Sequence, residues 1–184
     1  MFGKYKTVII FLIILVVVGG AAIAYPKLSE MYNKDPQSQS GSDISEDQAP
    51  DFKVYDYDGE PVYLSDYFGK PIVLNFWASW CPPCKAEMPI FNSVYQDVKN
   101  EVQFFMVDLV DGQQETVADG KAYIEDQGFT FPVFFDTDGA AGYMYQISSI
   151  PTTFFIDKNG VLVSIHRGII NAIQLQSGIN SIKD

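Results

Sequence analysis

Apolar and polar positions divide the chain into stretches of unlike character. Val8 to Val18 is an unbroken apolar run, continued by Gly19 to Ala24, with no charge between Thr7 and Pro26. Asn33 to Pro50 (NKDPQSQSGSDISEDQAP) lacks apolar periodicity and is dominated by Ser, Gln, Asp and Pro, the composition of a flexible tether. Beyond Ala49, short alternating runs and short continuous apolar runs follow one another, as in a domain that buries a sheet.

Within that domain the elements can be placed. Asp51 to Leu64 (DFKVYDYDGEPVYL) alternates on either side of Asp58-Gly59 and predicts a hairpin. Pro71 to Ala78 (PIVLNFWA) and Val102 to Leu109 (VQFFMVDL) are nearly continuous apolar runs and predict strands buried on both faces. Pro82 or Pro83 opens a helix toward Lys99, with Met88, Phe91, Val94, Tyr95 and Val98 at helical spacing and Pro89 predicting a kink. Gln114 to Gln127 predicts a helix stopped by Gly128. Phe131 to Phe135 predicts a short strand and Asp138 to Tyr145 a short helix. Thr152 to Ile156 and Val161 to His166 flank Asp157-Lys158-Asn159-Gly160 as a second hairpin. A last helix runs from Asn171, its N-cap, to Ile182. Strands alternating with helices and closed by a hairpin imply an α/β fold, a central mixed sheet flanked by helices.

The first residues set an address. Lys4 and Lys6 precede the apolar run, so residues 1–7 form a cytoplasmic n-region and 8–25 a membrane signal anchor. Residues 26–48 are then an extracytoplasmic linker, and the domain occupies 49–184. Ala22-Ile23-Ala24 also fits a signal-peptide cleavage pattern, which would release a secreted domain after Ala24. Both readings export the domain. Neither cysteine lies in this segment, so a lipid attached to cysteine is excluded.

Charge narrows the partners. The 184 residues carry 23 acidic against 12 basic side chains, net −11. Nucleic acid, which demands a basic patch, is not a partner. The acidity favours solubility, and the domain is expected to be a monomer.

The chemistry resides in FWASWCPPCKAEMP, which contains both cysteines, Cys81 and Cys84. As a structural staple the pair would close a trivial loop and remove little unfolded-state entropy. A zinc site needs four ligands, and the chain offers two cysteines and one histidine, so no metal is expected. His166, on a predicted strand, reads as an ordinary edge residue. The remaining use is redox. A strand delivers Cys81 to a helix start, where unpaired amides and the helix dipole favour thiolate, and Lys85 adds a positive charge. Cys81 is then the exposed nucleophile and Cys84 the more buried resolving thiol. Pro82 and Pro83 stiffen the loop and supply no N–H to the Cys81 sulfur. Opposite should lie Ser149-Ile150-Pro151-Thr152. If Ile150–Pro151 is cis, Pro151 packs against the sulfurs and the Ile150 backbone is free to pair with an extended substrate.

WCPPCK after an apolar strand, followed later by SIPTTFFIDKNG, resembles the thioredoxin superfamily. The nearest likeness is to its exported, anchored TlpA/ResA-like thiol–disulfide oxidoreductases, related to the AhpC/TSA branch. APDFKVYDYDGEPVYLSDYFGKPIVLNFWASWCPPCKAEMP is similar to that branch nearly throughout. GFTFPVFFD ends the helical insert that the branch carries, and the resemblance covers about Ala49 to Lys183. It implies a thioredoxin fold with an N-terminal hairpin extension and a helical insert. It also implies a Cys81/Cys84 redox pair, Pro151 as cis-proline, Trp80 flanking the site and Glu87 as the acid just inside the helix.

Departures from related patterns matter. Thioredoxin proper has a buried Asp where this chain has Asn75, and a neutral amide cannot take the resolving thiol's proton. Glu87 or water must do so. Peroxiredoxins carry Thr or Ser three residues before their cysteine, where this chain has Ala78. The expectation is a cofactor-free thiol–disulfide oxidoreductase that reduces exported protein disulfides and is fed by a membrane reductase. The resemblance implies that this donor is a thiol relay and suggests a role such as cytochrome c maturation. A disulfide-donating oxidase or isomerase, and a non-catalytic adaptor or metal carrier, are the alternatives.

Overall fold

A computed structural model of the chain describes residues 48–183. The n-region, the anchor and all of the linker but Gln48 lie outside the described residues. Among the described residues no helix is long and apolar enough to cross a membrane.

The hairpin β1 (Lys53–Tyr55) and β2 (Pro61–Tyr63) closes where the sequence predicts. The Asp56 carboxylate accepts from the Asp58 and Glu60 amides, and Gly59 supplies a positive φ of 87°. After a 3-10 turn at Leu64–Tyr67 come β3 (Ile72–Trp77), α1 (Pro82–Val98) and β4 (Gln103–Asp108). The insert follows as α2 (Val117–Gln127), then β5 (Val133–Phe135) and α3 (Ala140–Met144). The chain ends in β6 (Thr152–Ile156), β7 (Leu162–Arg167) and α4 (Ala172–Ser181). The sheet order is β2-β1-β5-β4-β3-β6-β7. β3, β4 and β5 are parallel and the outer pairs antiparallel. This is the expected mixed sheet.

Every side chain of β3 is buried, so its residues serve two cores. Ile72, Leu74 and Phe76 join Phe105, Phe134, Phe154 and Tyr145 on one face. Val73 and Trp77 join Phe104, Met106, Phe91 of α1 and Leu175 of α4 on the other. By the two-residue period, Asn75 and Asp108 also point to the helix-covered face. Polar side chains thus stand inside a mostly apolar layer.

The helix boundaries have local causes. Asn171 caps α4 as predicted, in a reciprocal exchange with Gln174. The insert helix begins at Val117 rather than at Gln114. Asp111 Oδ1 accepts from the Gln113, Gln114 and Glu115 amides and folds that segment into a tight loop, so Thr116 becomes the cap. α1 runs through Pro89 as one element, and Pro89 has no N–H for the Lys85 carbonyl.

α4 approaches the sheet so closely that a Cβ at Gly178 would lie 2.2 Å from a ring carbon of Phe155. Gly178→Ala is therefore expected to destabilise the domain by about 1–3 kcal/mol, although alanine favours a helix over glycine. Urea denaturation checks this, and a midpoint equal to or above the parent's would contradict it.

Candidate active site

Cys81 is the N-cap of α1 in extended conformation, and Pro82, Pro83 and Cys84 are the first three helical residues. A helix start normally presents several unpaired amides. Here two are absent, because proline has none. The Lys85 amide is already committed to the Cys81 carbonyl at 3.0 Å. The Cys84 N–H is the one left, and it donates to Cys81 Sγ at 3.2 Å. The sulfurs form a disulfide with Cα atoms 5.3 Å apart. On reduction, that amide and the positive end of the α1 dipole act on the Cys81 sulfur and stabilise its thiolate.

Cys81 is less open than the sequence suggested. It is 2% exposed and Cys84 1%. The asymmetry survives in another form, since Cys81 lines an open cleft of about 490 Å³ and Cys84 does not. Trp80, Pro82, Pro83, Leu109, Asp111, Ile147 and Ile150 build its walls, mostly apolar. Trp80 is 44% exposed at the rim. The Ile150–Pro151 bond is cis, and Pro151 is buried directly after the cleft-lining Ile150. The Lys85 ammonium lies 5.0 Å from the centroid of the Tyr123 ring, so its charge is held against the insert helix. His166 sits on edge strand β7 with Nε2 facing the Ile169 carbonyl.

Beneath Cys84, one turn further along the same helix face, is Glu87, 1% exposed. Its Oε1 accepts from Asn75 Nδ2 at 3.0 Å and its Oε2 from the Ile170 amide at 2.9 Å. Asn75 Nδ2 also donates to Thr153 Oγ1 across the sheet. Burial pushes the Glu87 carboxyl up to about 7, while its two donors pull it back. Asn75 is thus a donor that orients this acid, and Glu87 is poised to hold or release a proton near neutrality.

Several residues around the site were not singled out from sequence. Leu109, Asp111 and Ile147 line the cleft, and Ser79, Asp108 and Glu115 lie buried or half-buried behind it. An Asp within the apolar run VQFFMVDL was the available signal for Asp108. Glu115 sits in a polar-looking loop sequence and gave none.

A family model described as the AhpC/TSA family matches residues 45–165. The chain belongs to the AhpC/TSA family. The thiol–disulfide oxidoreductase ResA of Oceanobacillus iheyensis is 36% identical over 166 residues, 88% of this chain and 82% of that protein. A thiol:disulfide interchange protein DsbE from Chlorobium tepidum superposes with a TM-score of 0.67 at 32% identity, over 75% of this chain and 96% of that one. The pneumococcal exposed lipoprotein thioredoxin Etrx1 from Streptococcus pneumoniae gives 0.62 at 33%, over 71% and 99%. Within the family the chain is a thioredoxin-like thiol–disulfide oxidoreductase, its two cysteines spaced and placed for that chemistry.

The raised Glu87 carboxyl makes stability depend on pH. The folded state holds this proton more tightly than the unfolded chain. Its contribution is therefore full below about pH 4.5 and lost as pH rises to about 7. Asp108 acts in the same sense up to about 9. Glu87→Gln should flatten the fall in unfolding free energy across the lower window, an effect on the order of a few kcal/mol. Urea titrations at a series of pH values measure it. An unchanged slope would show that Glu87 is not held protonated in the fold.

Proposed function

We propose that the protein is a membrane-tethered reductant of disulfides in exported proteins, with its domain on the extracytoplasmic side. The observation that carries the dithiol mechanism is the Cys84 amide aimed at the Cys81 sulfur at the start of α1. The reduced Cys81 thiolate attacks one sulfur of a client disulfide. A Cys81–client bond forms, and the client's other sulfur leaves with the electron pair and takes up a proton. Cys84 then loses its proton and attacks Cys81. The second client thiol is released and the Cys81–Cys84 disulfide remains. The client has gained two electrons and the chain has lost them. Glu87, on the same helix face, accepts the Cys84 proton, the task for which Asn75 has no basic group.

Client docking follows from the cleft. The apolar walls receive side chains flanking the client cysteine. Ile150 presents backbone that no hydrogen bond among the described residues occupies, which suits an extended segment lying alongside. The apolar segment after Lys4 and Lys6 supports the location. So does the similarity to a thioredoxin described as an exposed lipoprotein, although here the anchor would be the peptide segment itself. With no third cysteine the chain cannot refill its own dithiol, so electrons come from a membrane thiol relay. Apocytochrome c, which must be reduced before haem attachment, is the client class we favour.

Cys84→Ser tests the reading. In a bacterium expressing the full chain, this variant should accumulate mixed disulfides on Cys81 with exported proteins, cysteine-containing apocytochromes among them. Adducts confined to cytoplasmic proteins, or trapping by Cys81→Ser instead, would contradict it.

A further inference from the structure

Behind the cleft lies an acidic pair that the dithiol mechanism does not use. Asp108 ends β4 and Glu115 closes the loop before α2, and both are 0% exposed. Ser79 Oγ, two residues before Cys81, donates to Glu115 Oε2 at 2.8 Å. Glu115 Oε1 and both oxygens of Asp108 are buried and accept no hydrogen bond. Among the described residues no salt bridge neutralises the pair, the salt bridges being Lys53–Asp138 and Lys183–Glu101. Lys121, the nearest basic residue of α2, spends its ammonium on the Tyr57 carbonyl, and Lys85 lies over Tyr123.

No other neighbour donates a hydrogen bond to these three oxygens, although the Trp77 indole N–H is itself buried without a partner. In the sheet register Asp108 stands between Trp77 of β3 and Phe135 of β5. From α2 comes a like charge, Asp119, and the bare Cα of Gly120. A Cβ at Gly120 would lie 2.0 Å from Asp108 Oδ2, so the carboxyl is pressed into the first turn of the insert helix. Two ionised carboxylates so enclosed would repel at close range in a dry site. One proton removes the conflict, because a protonated carboxyl becomes the donor that the unpartnered oxygens lack. Burial, then Glu115 and then Asp119 push the Asp108 carboxyl up to about 9.

We propose that Asp108 and Glu115 share one proton and act as a positioning pair, holding Ser79 and thereby the loop that carries Cys81. The connections are short. Leu109, next to Asp108, donates its amide to the Trp77 carbonyl, and the Cys81 amide donates to the Ala78 carbonyl. Leu109 and Asp111 are walls of the cleft itself, and the Asp111 loop ends at Glu115. Loss of the shared proton sets two charges against each other, frees Ser79 and loosens the wall beside the reactive sulfur. The dithiol is then impaired at alkaline pH, although its thiolate fraction rises there. The proposal uses only dithiol chemistry and stands whichever way electrons flow and wherever the domain resides.

The test follows the full chain, reduced with dithiothreitol and freed of it, as it reduces a small synthetic disulfide across a range of pH. The parent should lose rate several-fold above about pH 9, against the trend of a simple thiol. Asp108→Asn, which keeps a donor toward Glu115 but has no proton to lose, should lack that alkaline decline. Glu115→Ala should be slower at neutral pH by about tenfold, with Glu115→Gln recovering part of the loss. Ser79→Ala cuts the link and leaves the acids intact, so it covers the case in which an acid variant does not fold. It should slow the reaction as Glu115→Ala does and keep the parent's alkaline transition in stability. Lower melting temperatures with parental rates and an unchanged pH profile in Asp108→Asn and Ser79→Ala would overturn the proposal.

Discussion

The Cys84 amide donates to the Cys81 sulfur because no other amide is free at that end of α1. Pro82 and Pro83 remove two donors, and the Lys85 amide is taken by the Cys81 carbonyl. What is left is a single N–H on the axis of a helix dipole, aimed at one of two neighbouring sulfurs. This makes the two cysteines unequal although their burial is almost the same. Strand β3 fixes where the helix starts, the cis Ile150–Pro151 segment and the loop after β4 wall the sulfur in, and Cys81, not Cys84, lines the cleft.

The same geometry governs where acid is tolerated. The helix-covered face of the sheet is apolar except for polar positions set into the central strands. Asn75 on β3 serves Glu87 beneath Cys84, and Asp108 on β4 meets Glu115 behind Ser79. Glu87 and Asp108 are both desolvated and therefore raised, but by different surroundings. Glu87 has two hydrogen-bond donors and sits near neutrality, suited to exchanging a proton. Asp108 faces another carboxyl and holds its proton into the alkaline range. One acid is placed to move a proton and the other to keep one.

Much of this was legible in the sequence. Continuous apolar runs gave β3 and β4, turn chemistry at Asp58-Gly59 and Asp157–Gly160 gave both hairpins, and Asn171 marked the last helix. These signals are local, and local physics decides them. The start of the insert helix was misplaced by three residues because Asp111 captures amides that a helix would otherwise use. At the site, the cysteine spacing was plain and the cis bond at Pro151 was anticipated. The near-complete burial of Cys81 was not, since it depends on a core cluster drawn from distant segments, with Ile150 packed against it. The Asp108–Glu115 pair was equally hidden, because no periodicity brings the end of a strand and a polar loop together.

The central claim, that this dithiol gives electrons to its clients, rests on how strongly the fold stabilises the reduced Cys81 thiolate relative to the disulfide. The most direct measurement is the equilibrium reduction potential of the Cys81–Cys84 couple against glutathione. The account predicts a value near or below about −250 mV, that of a reductant needing an external donor. A value near about −120 mV would contradict it and make the protein an oxidant of its clients' thiols.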